Sequence, residues 1–385
     1  MKKTILVTGG AGYIGSITIK ELIENGYKVI VLDSLENGHR EAIDPSATLE
    51  IVNLKDKPGI DQIFKKYEID AIIDFAAYLA VGESMDQPEK YLENNVFNFI
   101  NLLEAAKNNN CKLIIKSSTA STYGNPLNED DFPLKENYTE KVRFESSRLF
   151  PGKWDDKNLE GEDFFQYIIS AYQKKVSPEM KLDEEEIGIL RTPTSVYGLT
   201  KLLDEIVMKK YDKLSDLKGI ALRYFNVAGA DQGGEIGEDK PNPTNLMTVT
   251  VLSLIGKRPK LQIYGNDYET RDGTGIRDYI HVSDLAKGHV KALKYLLENQ
   301  KSDTFNLGNG IGYTVLEVIA AVEKASKLKV DYEIVPRRSG DPAISTADPT
   351  KAKTVLDWEA KYSLNDMADT AWKWHSSHPD GYLKK

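Results

Sequence analysis

The chain of 385 residues holds a single cysteine, Cys111, which excludes an intramolecular disulfide framework and any cysteine-cluster zinc site. Its five histidines, at 39, 281, 289, 375 and 378, show no metal-ligand spacing, so no metal site is expected. Basic residues are in deficit: 50 Lys and Arg against 59 Asp and Glu leave a formal net charge of −9. That argues against a nucleic-acid partner, because a phosphate backbone needs a basic surface. No run of 18 apolar residues occurs, so no membrane span is expected. The apolar run after Lys2-Lys3 extends only from Thr4 to Val7 before glycines begin. It is too short for a signal peptide, and a cytoplasmic location is expected. Core-forming residues are present in ordinary amount, with 41% hydrophobic and 28% charged. The length allows two or three domain-sized units, or one large α/β domain with a cap.

Short apolar runs alternate with helical patterns through the first half. Residues 4–8, 28–33, 49–53, 70–77, 111–118 and 219–226 read as strands whose Val, Ile and Leu content is nearly continuous. Continuity of that kind is expected when both faces of a strand are buried. Helical stretches at 14–25, 60–67 and 91–107 lie between them, so a Rossmann-type, doubly wound parallel sheet is expected over residues 1–226. Beyond 226 the pattern loosens into Gly, Pro and Asn-rich segments. A smaller C-terminal α/β substrate domain is expected over 227–385, with segments such as 276–290 returning to the first domain. Residues 126–190 interrupt the alternation, and their 9 Lys and Arg against 16 Asp and Glu give a net of −7. Phe164, Phe165, Ile168, Ile169 and Tyr172 share one helical face there, so the insertion should be partly helical. It leaves the carboxyl end of a central strand, where ligands sit in open α/β sheets, which makes a cover over the substrate pocket one expectation.

Gly9, Gly12 and Gly15 lie between the first strand and the first helix. Such spacing gives a tight turn, a backbone that can approach a pyrophosphate, and close packing of helix on strand. Asp33 ends the second strand, 24 residues after Gly9, where a carboxylate would bond the ribose hydroxyls of a dinucleotide. It would also repel a 2′-phosphate, so NAD is favoured over NADP. Tyr197 and Lys201 stand at i and i+4 at the start of a helix, on one face. Behind a dinucleotide-binding half, and after the Ser/Thr-rich strand end at 117–121, such a tyrosine can act as a general base, with Thr119 relaying the proton. A lysine ammonium and an oxidised nicotinamide nearby would lower its pKa.

With these residues in view, the chain resembles the extended short-chain dehydrogenase/reductase superfamily and, within it, the UDP-glucose (UDP-galactose) 4-epimerases. The resemblance covers nearly everything except the insertion. It rests on Gly9–Ser16, Asp33–Arg40, Ala80–Ser84, Arg223–Ala230, Tyr264–Tyr268, Asp272–His281, Phe305–Gly308 and Pro336–Asp341. It implies a tightly held NAD and a UDP-sugar substrate. Tyr197 would take the proton of the 4-hydroxyl while the C4 hydride passes to the nicotinamide. The keto sugar would then turn about its link to the diphosphate and take the hydride back on its other face.

The resemblance also implies residue roles. Cofactor contacts fall to Gly9, Gly12, Tyr13, Ile14, Gly15, Asp33, Asn37, Gly38, Asn53, Leu54, Phe75, Ala76, Ala77, Asn95, Ser117, Tyr197, Lys201 and Tyr224. Substrate contacts fall to Thr119, Asn226, Asn245, Leu246, Tyr264, Arg277, Arg338, Asp341 and Ser345. Arg277 and Arg338 would grip the diphosphate, and Ser345 would border the sugar's 2-substituent. A serine there leaves room for an acetamido group, so UDP-N-acetylglucosamine and UDP-N-acetylgalactosamine are expected substrates as well. A homodimer is implied through helices 91–107 and 196–213.

The chain departs from the family pattern at Asn53, Asp74, Leu79 and Thr119. A 4-epimerase acting on a nucleotide pentose or uronate remains an alternative. Nucleotide-sugar 4,6-dehydratases need an acid and a base next to the threonine, and here Thr119 is followed by Ala120 and Ser121.

Overall fold

The computed structural model describes residues 2–126, 131–138, 161–338 and 341–382. Six strands come first along the chain: β1 Thr4–Thr8, β2 Lys28–Asp33, β3 Thr48–Ile51, β4 Ala71–Asp74, β5 Leu113–Thr119 and β6 Lys218–Tyr224. They are followed by β7 Asn226–Ala228, β8 Leu261–Tyr264, β9 Ile276–His281, β10 Asp303–Leu307, β11 Gly312–Thr314, β12 Tyr332–Val335 and β13 Ile344–Ser345. The main sheet has seven strands in the order β10-β6-β5-β4-β1-β2-β3, and every pairing in it is parallel. Helices cover both faces, which is why the strand sequences alternate so little. Leu6 joins the core under helices Lys57–Lys66, Asn98–Asn108 and Val196–Ser215. Its neighbours Ile5 and Val7 join the opposite core, under Tyr13–Glu24 and Val282–Asn299.

Three elements differ from the pattern read in the sequence. The fourth strand stops at Asp74, because Phe75–Leu79 leave the ladder and line a cleft. The sixth breaks at Phe225, and Asn226 starts a strand that pairs with β9 instead, so the chain changes sheets there. The helix read at 91–107 is a short turn Pro88–Tyr91, a π-helical turn Leu92–Phe97 and the α-helix Asn98–Asn108. The seventh strand of the main sheet, β10, comes from beyond residue 226. The remaining strands form a small sheet, β11-β9-β13 with β7 on β9, and a two-stranded pair, β12-β8. Helices Leu246–Leu254, Val315–Ser326 and Leu364–Ser377 pack on one another beside them.

The insertion is a closed excursion. Gly124 adopts a φ of +62°, and a side chain there would strike the Thr192 carbonyl, so the two ends of the insertion meet. Its described part contains helices Gly161–Lys175 and Glu184–Ile189. Phe164, Phe165, Ile168, Ile169 and Tyr172 enter the core shared with Tyr91, Val96, Leu199 and Leu203. Phe97 stacks on Tyr172 at 6.2 Å, Tyr167 bonds Glu89, and Lys175 pairs with Glu93. Glu186 holds Lys210 at 2.7 Å. The described insertion therefore packs on the same helices through which the resemblance implies a homodimer.

Candidate active site

The carboxyl ends of β1, β2, β4 and β5 open into a cleft of ≈ 420 Å³. Its floor is the glycine turn. Gly9 takes a φ of +66°, and a Cβ there would lie 2.7 Å from the Ala76 nitrogen. A Cβ on Gly15 would lie 2.5 Å from the Gly9 carbonyl oxygen, so helix Tyr13–Glu24 can start this close to β1 only with glycine at that position. Gly12 is the N-cap of that helix, with no side-chain cap bond and no acid in the first turn. The unpaired N–H groups of the first turn are thus left for an anion. A Cβ on Gly12 would meet only the Gly9 oxygen, at 3.3 Å, so the backbone there is bare toward the cleft. Asp33 is held by the Ala11 N–H at 2.9 Å and the Leu35 N–H at 2.8 Å, with its carboxylate on the cleft wall. A bare turn, an uncapped helix start and a fixed carboxylate 24 positions on suit the pyrophosphate and ribose of a dinucleotide.

The cleft also gathers Tyr13, Ile14, Asn37, Gly38, Asn53, Leu54, Phe75, Ala76, Ala77, Ser117 and Tyr224 from the sequence reading. Asn53 accepts a bond from the Lys55 N–H at 2.9 Å. Asn95 does not line it. Its amide is fully buried, bonding Tyr78 N and O at 2.8 and 3.1 Å and Thr200 at 3.2 Å, and Asn94 reaches the cleft instead. Both residues lie in the π-helical turn, which widens the repeat and changes which side chain faces inward. Sequence reading also passed over Glu36 and Tyr78, which join at 2.9 Å on the cleft wall, and the loop residues Glu238, Asp239 and Lys240. The segment Gly237–Asn245 carried no pattern by which to find them.

At the inner end stand Thr119 and Tyr197, both on the cleft wall. The Tyr197 N–H donates to Ser84 Oγ at 3.1 Å, and Ser195 caps the helix through Gly198 N–H at 3.1 Å, which fixes where the phenol points. Burial pushes the Tyr197 phenol up to about 12, against a hydrogen bond with Thr119 and the charge of Lys116. Lys201 is fully buried and donates to the Ser117 carbonyl at 3.0 Å. Burial, and then the charge of Lys116, push Lys201 down to about 7. Ser117 and Tyr224 bond each other through their hydroxyls beside the pair.

Asn226 and Asn245 close the cleft on the far side. Asn226 donates to the Asp278 carbonyl at 3.0 Å, while Asn245 bonds the Val227 carbonyl and caps helix Leu246–Leu254. Leu246, Tyr264, Arg277, Arg338, Asp341 and Ser345 do not line this cleft. Tyr264, Arg277 and Ser345 lie in β8, β9 and β13 of the adjoining small sheets, Leu246 starts helix Leu246–Leu254, and Arg338 and Asp341 lie between β12 and β13. Ser345 is the register partner of Arg277, and Arg277 lies 3.7 Å from Asp341. The Arg338 guanidinium stacks on the Tyr264 ring at 3.8 Å. Arg337 faces away, pairing with Asp267 at 2.6 Å. No described residue of the insertion lines the cleft, and residues 127–130 and 139–160 lie outside the described residues.

Residues 5–150 match the model of the NAD dependent epimerase/dehydratase family, and residues 178–371 that of GDP-mannose 4,6 dehydratase. The chain is 39% identical to the UDP-glucose 4-epimerase of Lactobacillus helveticus over 385 residues, 99% of each chain. Its fold is similar to a crystal structure of a UDP-glucose 4-epimerase, at 36% identity and a TM-score of 0.81, covering 99% of this chain and 100% of that one. A UDP-glucose 4-epimerase from Bifidobacterium longum, solved with NAD+ and UDP, is 34% identical, with a TM-score of 0.77 over 99% of this chain and 100% of that one.

Proposed function

The chain belongs to the UDP-glucose 4-epimerases, within the NAD-dependent epimerase/dehydratase family, and from that premise we propose how its own residues interconvert UDP-glucose and UDP-galactose. It is an isomerase, and its cofactor is NAD. The observation that carries the reading is a single cleft. It has the glycine turn and Asp33 at one end and Thr119, Tyr197, Asn226 and Asn245 at the other.

NAD, when bound, supplies the acceptor for the C4 hydride and, while oxidised, a positive charge that favours a phenolate. The chain does the rest. The turn at Gly9–Gly15 and the start of helix Tyr13–Glu24 hold the pyrophosphate, and Asp33 takes the ribose hydroxyls. Tyr197 accepts the proton of the sugar 4-hydroxyl and later returns it, with Thr119 in hydrogen-bond reach of the phenol. Lys201 lies one turn along the helix as the cationic partner. Arg277 and Arg338 grip the diphosphate as planar forks, and Asn226 and Asn245 bound the sugar. A firm hold on the diphosphate and a loose hold on the sugar let the keto sugar turn over. The dehydratase match reflects shared architecture, since Ala120 and Ser121 beside Thr119 offer no carboxylate to expel water.

Incubation of the protein and NAD with UDP-galactose should yield UDP-glucose, and the reverse reaction should reach the same mixture. No conversion, or a product that has lost water, would overturn the reading. Ser345 beside Arg277 extends the proposal to the N-acetylated UDP-hexoses. A homodimer is proposed too, in a form that includes helix Gly161–Lys175 in the contact. Light scattering should give about twice 43.2 kDa, and a single-chain mass would reject the pair.

A further inference from the structure

Beneath Tyr197 and Lys201 lies a group of charges that the steps above do not use. Lys116 sits on β5, three residues before Thr119, and is completely buried. Its Nζ is 2.6 Å from Asp74 on β4 and 3.1 Å from Asp204, which stands one helical turn past Lys201. Both carboxylates are also completely buried. Asp74 accepts further bonds from Thr8 Oγ1 and from the Ala76 N–H. Asp204 makes no hydrogen bond among the described residues, so the Lys116 charge is its main compensation. Burying three ions costs more desolvation than their attraction returns in many proteins, and an apolar core of the same volume would serve stability as well. A role in stability is therefore a poor reason for this cluster, and its position suggests a better one.

We propose that Lys116 and Asp204 are positioning residues of the active site, which with Asp74 form a buried charge set that fixes the pH range in which Tyr197 and Lys201 hold their working protonation states. The proposal rests on the reading of Tyr197 as the base. The other polar and charged groups around the pair are accounted for. On the same helix, Glu205 is closed by Arg223 of β6 at 2.7 and 2.9 Å and by Ser118 at 2.5 Å. Ser117 and Tyr224 bond each other, Tyr91 bonds Glu83 and the Ala80 carbonyl, and Tyr172 bonds the Met180 carbonyl. Lys116 and Asp204 are the charges that act on both Tyr197 and Lys201, and Asp74 and Glu205 act on Lys201 to a lesser degree.

The signs are opposed. A positive Lys116 favours the Tyr197 phenolate and disfavours the Lys201 ammonium, so it draws both ionisations to lower pH. A negative Asp204 raises both. Deleting either charge must then move the whole activity profile, in a direction set by the charge deleted.

The test is the pH dependence of kcat for the NAD-loaded enzyme at saturating UDP-galactose. Lys116→Met should shift the profile to higher pH by about one unit, and Asp204→Asn to lower pH by a similar amount. The double variant should return close to the wild type, and Lys116→Arg should restore the position of the profile. Profiles that stay fixed, or that move the same way for both single variants, would overturn the proposal. Should Lys116→Met fail to fold, the near-isosteric Asp204→Asn decides alone: an acid shift supports the proposal and an unmoved profile rejects it. Tyr197→Phe run in parallel separates the two claims. If that variant stays active, the reading of Tyr197 has failed; if it is inactive while the profiles are fixed, only the charge set has failed.

Discussion

Tyr197 is placed by bonds that do not involve its hydroxyl: its own N–H to Ser84 and the Ser195 cap one residue on. Replacing it by Phe should therefore leave the cleft's shape intact. Tyr197→Phe should lose at least ~100-fold in kcat with NAD affinity and KM little changed, as measured by steady-state rates and cofactor titration. Ser345 carries a second residue-level prediction. It pairs in register with Arg277, so a larger side chain there enlarges the wall next to the proposed diphosphate grip. The wild type should convert UDP-N-acetylgalactosamine, and Ser345→Tyr should lose that activity by more than tenfold while keeping UDP-galactose. A wild type inert toward the N-acetylated sugar would defeat the claim, as would a variant that converts it unchanged.

Strand β9 carries Arg277, and the neighbouring Asp278 decides how firmly that strand is seated. Its buried carboxylate accepts the N–H groups of Asn309 at 2.8 Å, Gly310 at 2.9 Å and Ala347 at 3.1 Å. Asp278→Ala leaves the buried Ala347 N–H unpaired and takes the acceptor from the more exposed N–H groups of Asn309 and Gly310, at a cost of about 1–3 kcal/mol. A lower Tm and a KM for UDP-galactose that rises more than the NAD dissociation constant are expected; equal effects on both ligands would contradict this placement. The insertion should behave differently. Tyr172 is fully buried and bonds the Met180 carbonyl at 3.0 Å, away from the cleft. Tyr172→Ala should cost about 3–5 kcal/mol of stability and leave the KM values within about twofold. Elements whose signal is local were legible in the sequence. The glycine turn, Asp33 and the Tyr197–Lys201 pair each lie within one strand-turn-helix unit or one helical turn. The π-helical turn was not legible, because the same residues fit a regular helix, and neither was the place of Asn94 on the cleft wall.

In the whole molecule, what escaped the sequence is what depends on distant partners. β10 closes the main sheet from beyond residue 226 with only five residues, Asp303–Leu307, too few to announce a strand in a loosened pattern. Lys116, Asp74 and Asp204 are separated by 42 and 88 positions along the chain, and only folding brings them together. Asp74 was visible as a departure from the family pattern, but its partner on β5 was not. The insertion's amphipathic helix was legible, whereas the face it covers was not, since that depends on helices distant in the chain, as with Tyr167 and Glu89, 78 positions apart. The central claim for the assembled cleft is that one carbon of the sugar is oxidised and then reduced on its opposite face, with nothing exchanged with water at that carbon. Its most direct test uses UDP-galactose carrying deuterium at C4, incubated with the NAD-loaded protein in ordinary water. UDP-glucose with the deuterium still at C4 is the expected product, whereas no UDP-glucose, or UDP-glucose with the label lost to solvent, would contradict it.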